Sequence, residues 1–143
     1  MLTQPVANAL MAMPKHLLET GEIQFPAAGD YLQLELRSDD EHETFLVDVN
    51  RRGKIKLTKC TYQERYAVVE ILIRVDIDGP PHENPDGTVV QCPHIHEYRE
   101  GFGVKWARSL PATFTNPSDL VITFRDFLKF CNVAKVPGIQ KVI

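Results

Sequence analysis

Five residues between positions 74 and 96 are of the types that carry out acid–base or metal chemistry. They are Arg74, Asp76, His82, His94 and His96, and they include three of the five histidines of the protein. His94 and His96 are two residues apart, and in a β-strand that spacing puts both rings on one face, roughly 7 Å apart at the backbone. Arg74 and Asp76 share a face for the same reason. If the two segments are neighbouring strands, one cleft holds all five residues.

Two kinds of chemistry need such a set. The first is metal-independent cleavage of RNA, in which one histidine removes a proton from the 2′-hydroxyl and another protonates the leaving oxygen. We predict His82 and either His94 or His96 as that pair, Arg74 as the cation that stabilises the phosphorus-centred charge, and Asp76 as the residue that orients a histidine. This mechanism needs no cofactor. The second is a metal-dependent hydrolase in which His82, His94 and His96 bind zinc.

Residues 51–65 form a basic stretch in an acidic protein. The net charge of the whole chain is −3, which excludes an overall positive field for coating nucleic acid. Within the stretch, Glu64 is the only acidic residue, and a tyrosine lies among the cations, where it is suited to base stacking. The residues that we predict to contact RNA are Arg52, Lys54, Lys56, Lys59, Tyr62 and Arg65. A solvated strand face is the structural alternative.

The segment that contains R-x-D, G-P-P-H and P-H-I-H resembles a group of bacterial toxins from type II toxin–antitoxin modules, the TumE-like proteins. It also looks like small uncharacterised bacterial and phage proteins with a PHIH motif. The resemblance covers about residues 74–98. It implies a toxin-like, RNA-directed activity that is restrained by an antitoxin or another protein partner. The chain departs from the pattern in its N-P-D-G insertion at 84–87 and in the two-residue spacing of its last histidines.

A third hypothesis is that the protein is not an enzyme. In that case the loop at 79–93, which contains three prolines within nine residues, binds a partner protein for a mobile element. Bound metal indicates the hydrolase, RNA cleavage in a chelator indicates the metal-free enzyme, and the absence of any turnover indicates the binding module.

The elements that must position these residues read as an α+β domain. A length of 143 residues, with 43% hydrophobic and 24% charged, is typical of a single domain at 1–143. Alternating apolar residues predict strands at 32–37, 45–49 and 66–77, and residues 51–54 predict a hairpin turn whose return strand starts at Ile55. We expect a curved antiparallel β-sheet of about six or seven strands, with an N-terminal and a C-terminal helix.

The ends of the two helices follow from capping signals. Thr3 and Pro5 predict the start of the first helix, whose apolar spacing runs through Leu17, and Asn116 and Pro117 predict the start of the second. Three widely spaced cysteines predict reduced thiols. No run approaches the ~20 apolar residues of a membrane span, and the N-terminus lacks the features of a signal peptide. We therefore expect a cytoplasmic protein with no membrane partner.

Overall fold

The computed structural model describes residues 1–53 and 56–141, in which two helices and eleven strands form. In chain order, they are α1 (Gln4–Ala12), β1 (Lys15–Leu17), β2 (Ile23–Phe25), β3 (Tyr31–Ser38), β4 (Thr44–Asn50), β5 (Thr61–Tyr66), β6 (Glu70–Asp76), β7 (His82–Glu83), β8 (Val89–Val90), β9 (His94–Glu97), β10 (Ala107–Ser109), α2 (Leu120–Phe130) and β11 (Ile139–Lys141).

Seven of these strands form one sheet in the order β1-β3-β4-β5-β6-β9-β10. Every neighbouring pair is antiparallel, as expected where short turns join successive strands. The predicted α+β class is confirmed, with one helix near each end of the chain, whereas the curvature of the sheet stays a prediction. Two small sheets accompany it: β7 pairs with β8, and β11 pairs in parallel with β2.

One face of the sheet carries the hydrophobic core. Along β3, β4 and β5 buried side chains alternate with more exposed ones, and both helices contribute buried residues to the same cluster. The α2 side chains Phe124 and Phe127 lie 5.9 Å and 5.8 Å, centroid to centroid, from the ring of Tyr62 on β5. The Tyr62 hydroxyl also donates a hydrogen bond to the Leu120 carbonyl at 2.7 Å, so β5 and the start of α2 are joined by packing and by a hydrogen bond.

The opposite face of the sheet is polar, and we call it the polar face. The strand registers put Gln33, Asp48, Gln63 and Arg74 side by side on four adjacent strands, β3 to β6. Their neighbours along each strand point into the core, because side chains alternate between the two faces of a sheet. Arg74 and Asp76 on β6 and the two histidines of β9 lie at one end of this face.

The structure corrects several predicted boundaries. Helix α1 starts after its Thr3 cap as predicted, but it ends at Ala12, because Pro14 cannot continue it, and residues 15–17 form β1. The helix predicted from Asn116 starts at Leu120, with Asp119 as the cap that accepts hydrogen bonds from two backbone N–H groups. Neither helix of the described ranges 1–53 and 56–141 is long and apolar enough to cross a membrane.

The strand that follows the basic turn also differs from the prediction. The return strand begins at Thr61, and Leu57 is exposed in the preceding loop, while Ile55 lies outside the described residues. The predicted strand at 66–77 divides into the end of β5 and the whole of β6. Ala67 and Val68 have positive φ angles and form the turn between them, so Val69 stays outside the strand.

Candidate active site

Adjacent strands β6 and β9 bring the two segments predicted to carry chemistry into contact. Their register pairs Arg74 with His96 and Asp76 with His94. Because side chains at paired positions point to the same face, all four lie together on the polar face. The intervening residue of β9, Ile95, is fully buried in the core on the other side, which fixes the phase of the alternation.

Two histidine nitrogens converge on one carboxylate oxygen. The Nε2 atom of His94 lies 3.1 Å from Asp76 Oδ2, and the Nε2 atom of His96 lies 3.2 Å from the same oxygen. The two rings are nearly perpendicular, with centroids 4.9 Å apart. Both histidines are buried, at 2% and 5% exposure. This is an arrangement in which three ligand atoms face a common point.

The second oxygen of Asp76 is held from the other side. Thr61 donates a hydrogen bond to Oδ1 at 2.9 Å, and Arg74 donates one through Nε at 3.1 Å. Burial by itself raises the pKa of Asp76, but hydrogen bonds from His96, Arg74 and Thr61 and the charge of Arg74 outweigh it and lower the pKa below its ordinary value. The group is therefore a carboxylate at neutral pH.

The second ring nitrogen of each histidine, Nδ1, faces a backbone carbonyl. His96 Nδ1 lies 2.8 Å from the Val104 carbonyl, which can only accept, so Nδ1 carries a hydrogen. His94 Nδ1 lies 3.3 Å from the Gln91 carbonyl, to which it donates when it carries a hydrogen, and 3.6 Å from Cys92 Sγ. With a hydrogen on Nδ1, Nε2 can face Asp76 in two ways. It donates to the carboxylate when it also carries a hydrogen, and it offers a lone pair when a metal cation lies between the two groups.

His82 lies beside these three residues rather than among them. Its ring centroid is 4.6 Å from that of His96 and 6.0 Å from that of His94. Its Nε2 lies 2.7 Å from the Lys105 carbonyl, so this nitrogen is a donor. Among the described residues, the ligand atoms that lie within 4.8 Å of one another belong to Asp76, His94 and His96. The sequence analysis predicted His82 as the third ligand beside His94 and His96, but in the structure Asp76 is the residue that lies with them.

The loop that carries His82 is a short hairpin docked on the sheet. Its strands β7 and β8 pair His82 with Val90, and the turn between them is the N-P-D-G segment. The buried side chain of Asn84 donates to the Ala107 carbonyl at 3.0 Å and accepts from the Ala107 backbone N–H at 2.8 Å. The N-P-D-G insertion is therefore hydrogen-bonded to β10 through Asn84, and this contact positions the strand that carries His82. The sequence analysis did not predict this role.

A pocket of about 430 Å³ opens over this cluster. All five predicted catalytic residues line it, and the loop before β5 adds one predicted RNA-contacting cation, Lys59. Cys92 is also in the wall, where burial and the nearby Asp76 and Asp78 carboxylates raise the pKa of its thiol. That shift disfavours the thiolate, which is the nucleophilic form of cysteine.

The predicted RNA contacts are divided by the structure. Tyr62 was wrong as a stacking residue, because its ring is fully buried against α2. Arg65 is exposed only in part and donates two hydrogen bonds to Asp48, at 2.6 Å and 3.0 Å, so its charge is largely neutralised. Lys56 lies 3.9 Å from Asp78 at the surface, and Lys54 lies outside the described residues.

Arg52, another of the predicted RNA contacts, contacts an aromatic residue that the sequence analysis did not single out. The Arg52 guanidinium lies over the ring of Tyr31 at 3.7 Å from its centroid. Tyr31 begins β3 on the polar face and is half exposed. The clean alternation of β3 puts Tyr31 on the same face as Gln33, so the signal for its exposure was present in the sequence.

Comparison with known proteins identifies a family. A family model described as "Family of unknown function (DUF6978)" matches residues 2–133. The chain belongs to this family. The matched range contains every residue that lines the pocket over Asp76, His94 and His96. No curated protein and no solved structure matches the chain.

Proposed function

We propose that this DUF6978 protein is a metal-dependent hydrolase of phosphodiesters, with the metal bound by Asp76, His94 and His96. One observation carries the proposal: two imidazole Nε2 atoms and one carboxylate oxygen converge within hydrogen-bond distance, while the far atom of each group is held by another partner. Metal-binding histidines have the same support, in which the second ring nitrogen donates to a carbonyl. Sequence reasoning had weighed this class of function with a different third ligand.

The donor set suits zinc. Two imidazoles and one carboxylate occur in catalytic zinc sites, where the fourth position is left for water or substrate. When bound, the ion supplies a Lewis acid that polarises a phosphoryl oxygen and lowers the pKa of water. Inserting it requires the three groups to separate slightly, because ligand distances of about 2 Å to a central ion replace direct contacts of 3.1 Å and 3.2 Å.

Cations in the pocket support a phosphate as the group that is attacked. Arg74 uses Nε to hold Asp76, and its side chain is 42% exposed, so the rest of its guanidinium faces the opening. Lys59 lines the same wall. Guanidinium and ammonium groups bind phosphate oxygens and stabilise the charge that develops there. His82 donates through Nε2 to a carbonyl, which leaves Nδ1 to take up a proton as a base and, once the ring is protonated, to give that proton to the leaving oxygen.

Metal-independent RNA cleavage is a second candidate, and the partly exposed ring of His82 beside Arg74 and Lys59 favours it. In that mechanism the proton between Nε2 and Asp76 makes His96 an imidazolium. The weakness is that both ring nitrogens of His94 and His96 are already engaged, so only His82 has a nitrogen for the substrate. The toxin resemblance and an antitoxin-like partner stay predictions under either mechanism.

Metal binding is the first test. Purified protein is stripped with a chelator, and Zn²⁺, Mn²⁺ or Fe²⁺ is titrated by calorimetry, with elemental analysis of the untreated protein. We expect one equivalent of tightly bound metal in the wild type and none in the His94→Ala/His96→Ala variant. His42→Ala removes an exposed histidine from the β3–β4 turn and should bind as the wild type does.

Hydrolysis of bis(p-nitrophenyl) phosphate then separates the two candidates. Activity that a chelator abolishes and zinc restores supports the metal enzyme. Activity on RNA that persists in the chelator, in a protein that binds none of the three ions, overturns the metal proposal in favour of the second candidate. If neither activity is found, the binding-module hypothesis from the sequence takes precedence.

A further inference from the structure

We infer that the substrate is a single-stranded nucleic acid whose chain runs from the pocket across the polar face to Tyr31. The inference rests on the proposed function, because it assigns the substrate class of the same site. It starts from the register of the sheet. Asp76, Thr61, Asn50 and Tyr31 are paired in turn across strands β6, β5, β4 and β3. With strands about 4.8 Å apart, this row extends about 14 Å from the ligand cluster.

A second depression continues the first along this row. It has a volume of about 360 Å³ and lies over β3 to β6, and it shares two lining residues, Thr61 and Arg74, with the pocket. Arg74 therefore stands at the junction of the two. Because the two depressions are adjacent, a substrate longer than one phosphate group can occupy both and contact Arg74 between them.

The charge along this path favours a polyanion. The two depressions are lined by five Lys or Arg side chains and three carboxylates, in a protein whose net charge is −3. Two of the carboxylates already have partners: Asp48 accepts two hydrogen bonds from Arg65, and Asp76 belongs to the ligand cluster. The cations left for substrate are Arg52, Lys59, Arg74 and Lys105. Phosphates spaced along one strand match cations spaced along such a groove.

The far end of the path offers a platform for a base. Tyr31 is 49% exposed, and Arg52 stacks on its ring at 3.7 Å. Bases that are not paired stack on aromatic rings and on guanidinium planes, and this stacking tolerates any base. In a duplex the faces of the bases are covered by their neighbours, so the platform selects single strands.

The test measures binding separately from hydrolysis. Fluorescence anisotropy with labelled single-stranded RNA and DNA oligonucleotides is carried out in a chelator, where the proposed metal reaction cannot proceed. Tyr31→Ala should weaken binding about tenfold, since one base stack contributes about 1–3 kcal/mol. Arg52→Ala should weaken it as well and reduce its dependence on salt by about one phosphate contact. Both variants should retain the metal stoichiometry of the wild type.

Arg37→Ala is the matched control. Arg37 lies on β3 and on the polar face, like Tyr31, but six residues away, about 20 Å along the strand. Its removal should change binding less than twofold. Binding of RNA alone, DNA alone or both supports the inference and identifies the source of the phosphates. Preferential binding of duplex, equal binding of an acidic peptide, or binding that Tyr31→Ala and Arg52→Ala leave unchanged would overturn it, whether or not the protein binds metal.

Discussion

Asp76 organises the site at the scale of single residues. One of its oxygens faces the two imidazoles, and the other accepts hydrogen bonds from Thr61 and Arg74. Partners behind a ligand fix its orientation and tune the affinity for the metal. The proposed metal site therefore predicts that the Thr61 hydroxyl supports metal binding without being a ligand itself.

Substitution of Thr61 by valine, which has nearly the same shape, removes only that hydrogen bond. We expect Thr61→Val to weaken metal binding by about tenfold, within the range for such supporting partners, with the stoichiometry unchanged. Calorimetric titration measures both quantities. Thr58→Val is the control, because Thr58 donates at 2.7 Å to Asp78, outside the ligand cluster. Equal effects of the two substitutions would contradict a specific role for Thr61.

At the scale of elements, a buried ion pair and its hydrogen bonds connect β1, β5, α1 and α2. Lys15 on β1 and Glu64 on β5 are fully buried, with Nζ and Oε2 3.3 Å apart. Lys15 also donates to the carbonyls of Met11 and Cys131, at the ends of α1 and α2. Neither Glu64 oxygen has a well-aligned hydrogen bond from the described residues. Burial raises the pKa of Glu64 to about 7, although the charge of Lys15 opposes the shift.

The raised pKa makes stability depend on pH in a definite direction. Between the ordinary value of about 4.5 and the folded value of about 7, the folded protein keeps a proton that the unfolded chain has lost. The contribution of Glu64 is therefore fully present below about pH 4.5 and is lost as the pH rises through 7. We expect Lys15→Met to cost about 3 kcal/mol at pH 8, where the carboxylate is left without its partner, and less at pH 5.

Replacing both charges should remove this pH dependence. The Lys15→Met/Glu64→Leu variant is expected to be as stable as the wild type or more so, because a buried ion pair is often replaced by apolar side chains without loss. Urea denaturation from pH 5 to pH 8 in a chelator compares the two proteins, so that the other titrating groups cancel. A difference in stability that does not vary with pH would show that Glu64 is ionised throughout this range.

At the scale of the whole molecule, the sheet separates the hydrophobic core from the polar face that carries the candidate site. Both helices and the buried aromatics lie on one side, and the ligand cluster, Arg74 and Tyr31 lie on the other. The last strand, β11, lies outside the seven-stranded sheet: in the described residues it pairs with β2 in a separate two-stranded sheet, and its Ile139 packs against the edge of the core.

This arrangement predicts that β11 is dispensable for the site. Removal of residues 137–143 should lower stability by less than about 2 kcal/mol and leave metal stoichiometry unchanged. Removal of residues 132–143 is the contrasting truncation. It takes away the hydrogen bonds of Asn132 and Ala134 to β1 and the buried Val133, and should destabilise the protein much more. Thermal denaturation and metal titration check both; loss of metal binding in the shorter truncation would contradict the prediction.

The local part of the site could be predicted from the sequence. The two-residue spacings of Arg74 with Asp76 and of His94 with His96 require only that the segments be strands, because the alternation of side chains is a property of the backbone. The α+β class followed from the same alternation. The same rule puts Tyr62 on the face opposite to Gln63, but the cations around it in sequence suggested exposure, and α2 covers that face instead.

Only the tertiary structure decided which groups meet. The β6–β9 register, set by two strands separated by an inserted hairpin, brought both Nε2 atoms to Asp76 and left His82 beside them. Chain spacing carries no information on such a register, because it depends on packing between distant segments. The carbonyls of Gln91 and Val104, which lie at hydrogen-bond distance from the Nδ1 atoms of His94 and His96, are backbone groups with no signature in the sequence. The sequence by itself thus determined which residue types the site contains and which of them share a strand face. Packing between distant segments determined which of their atoms lie in contact.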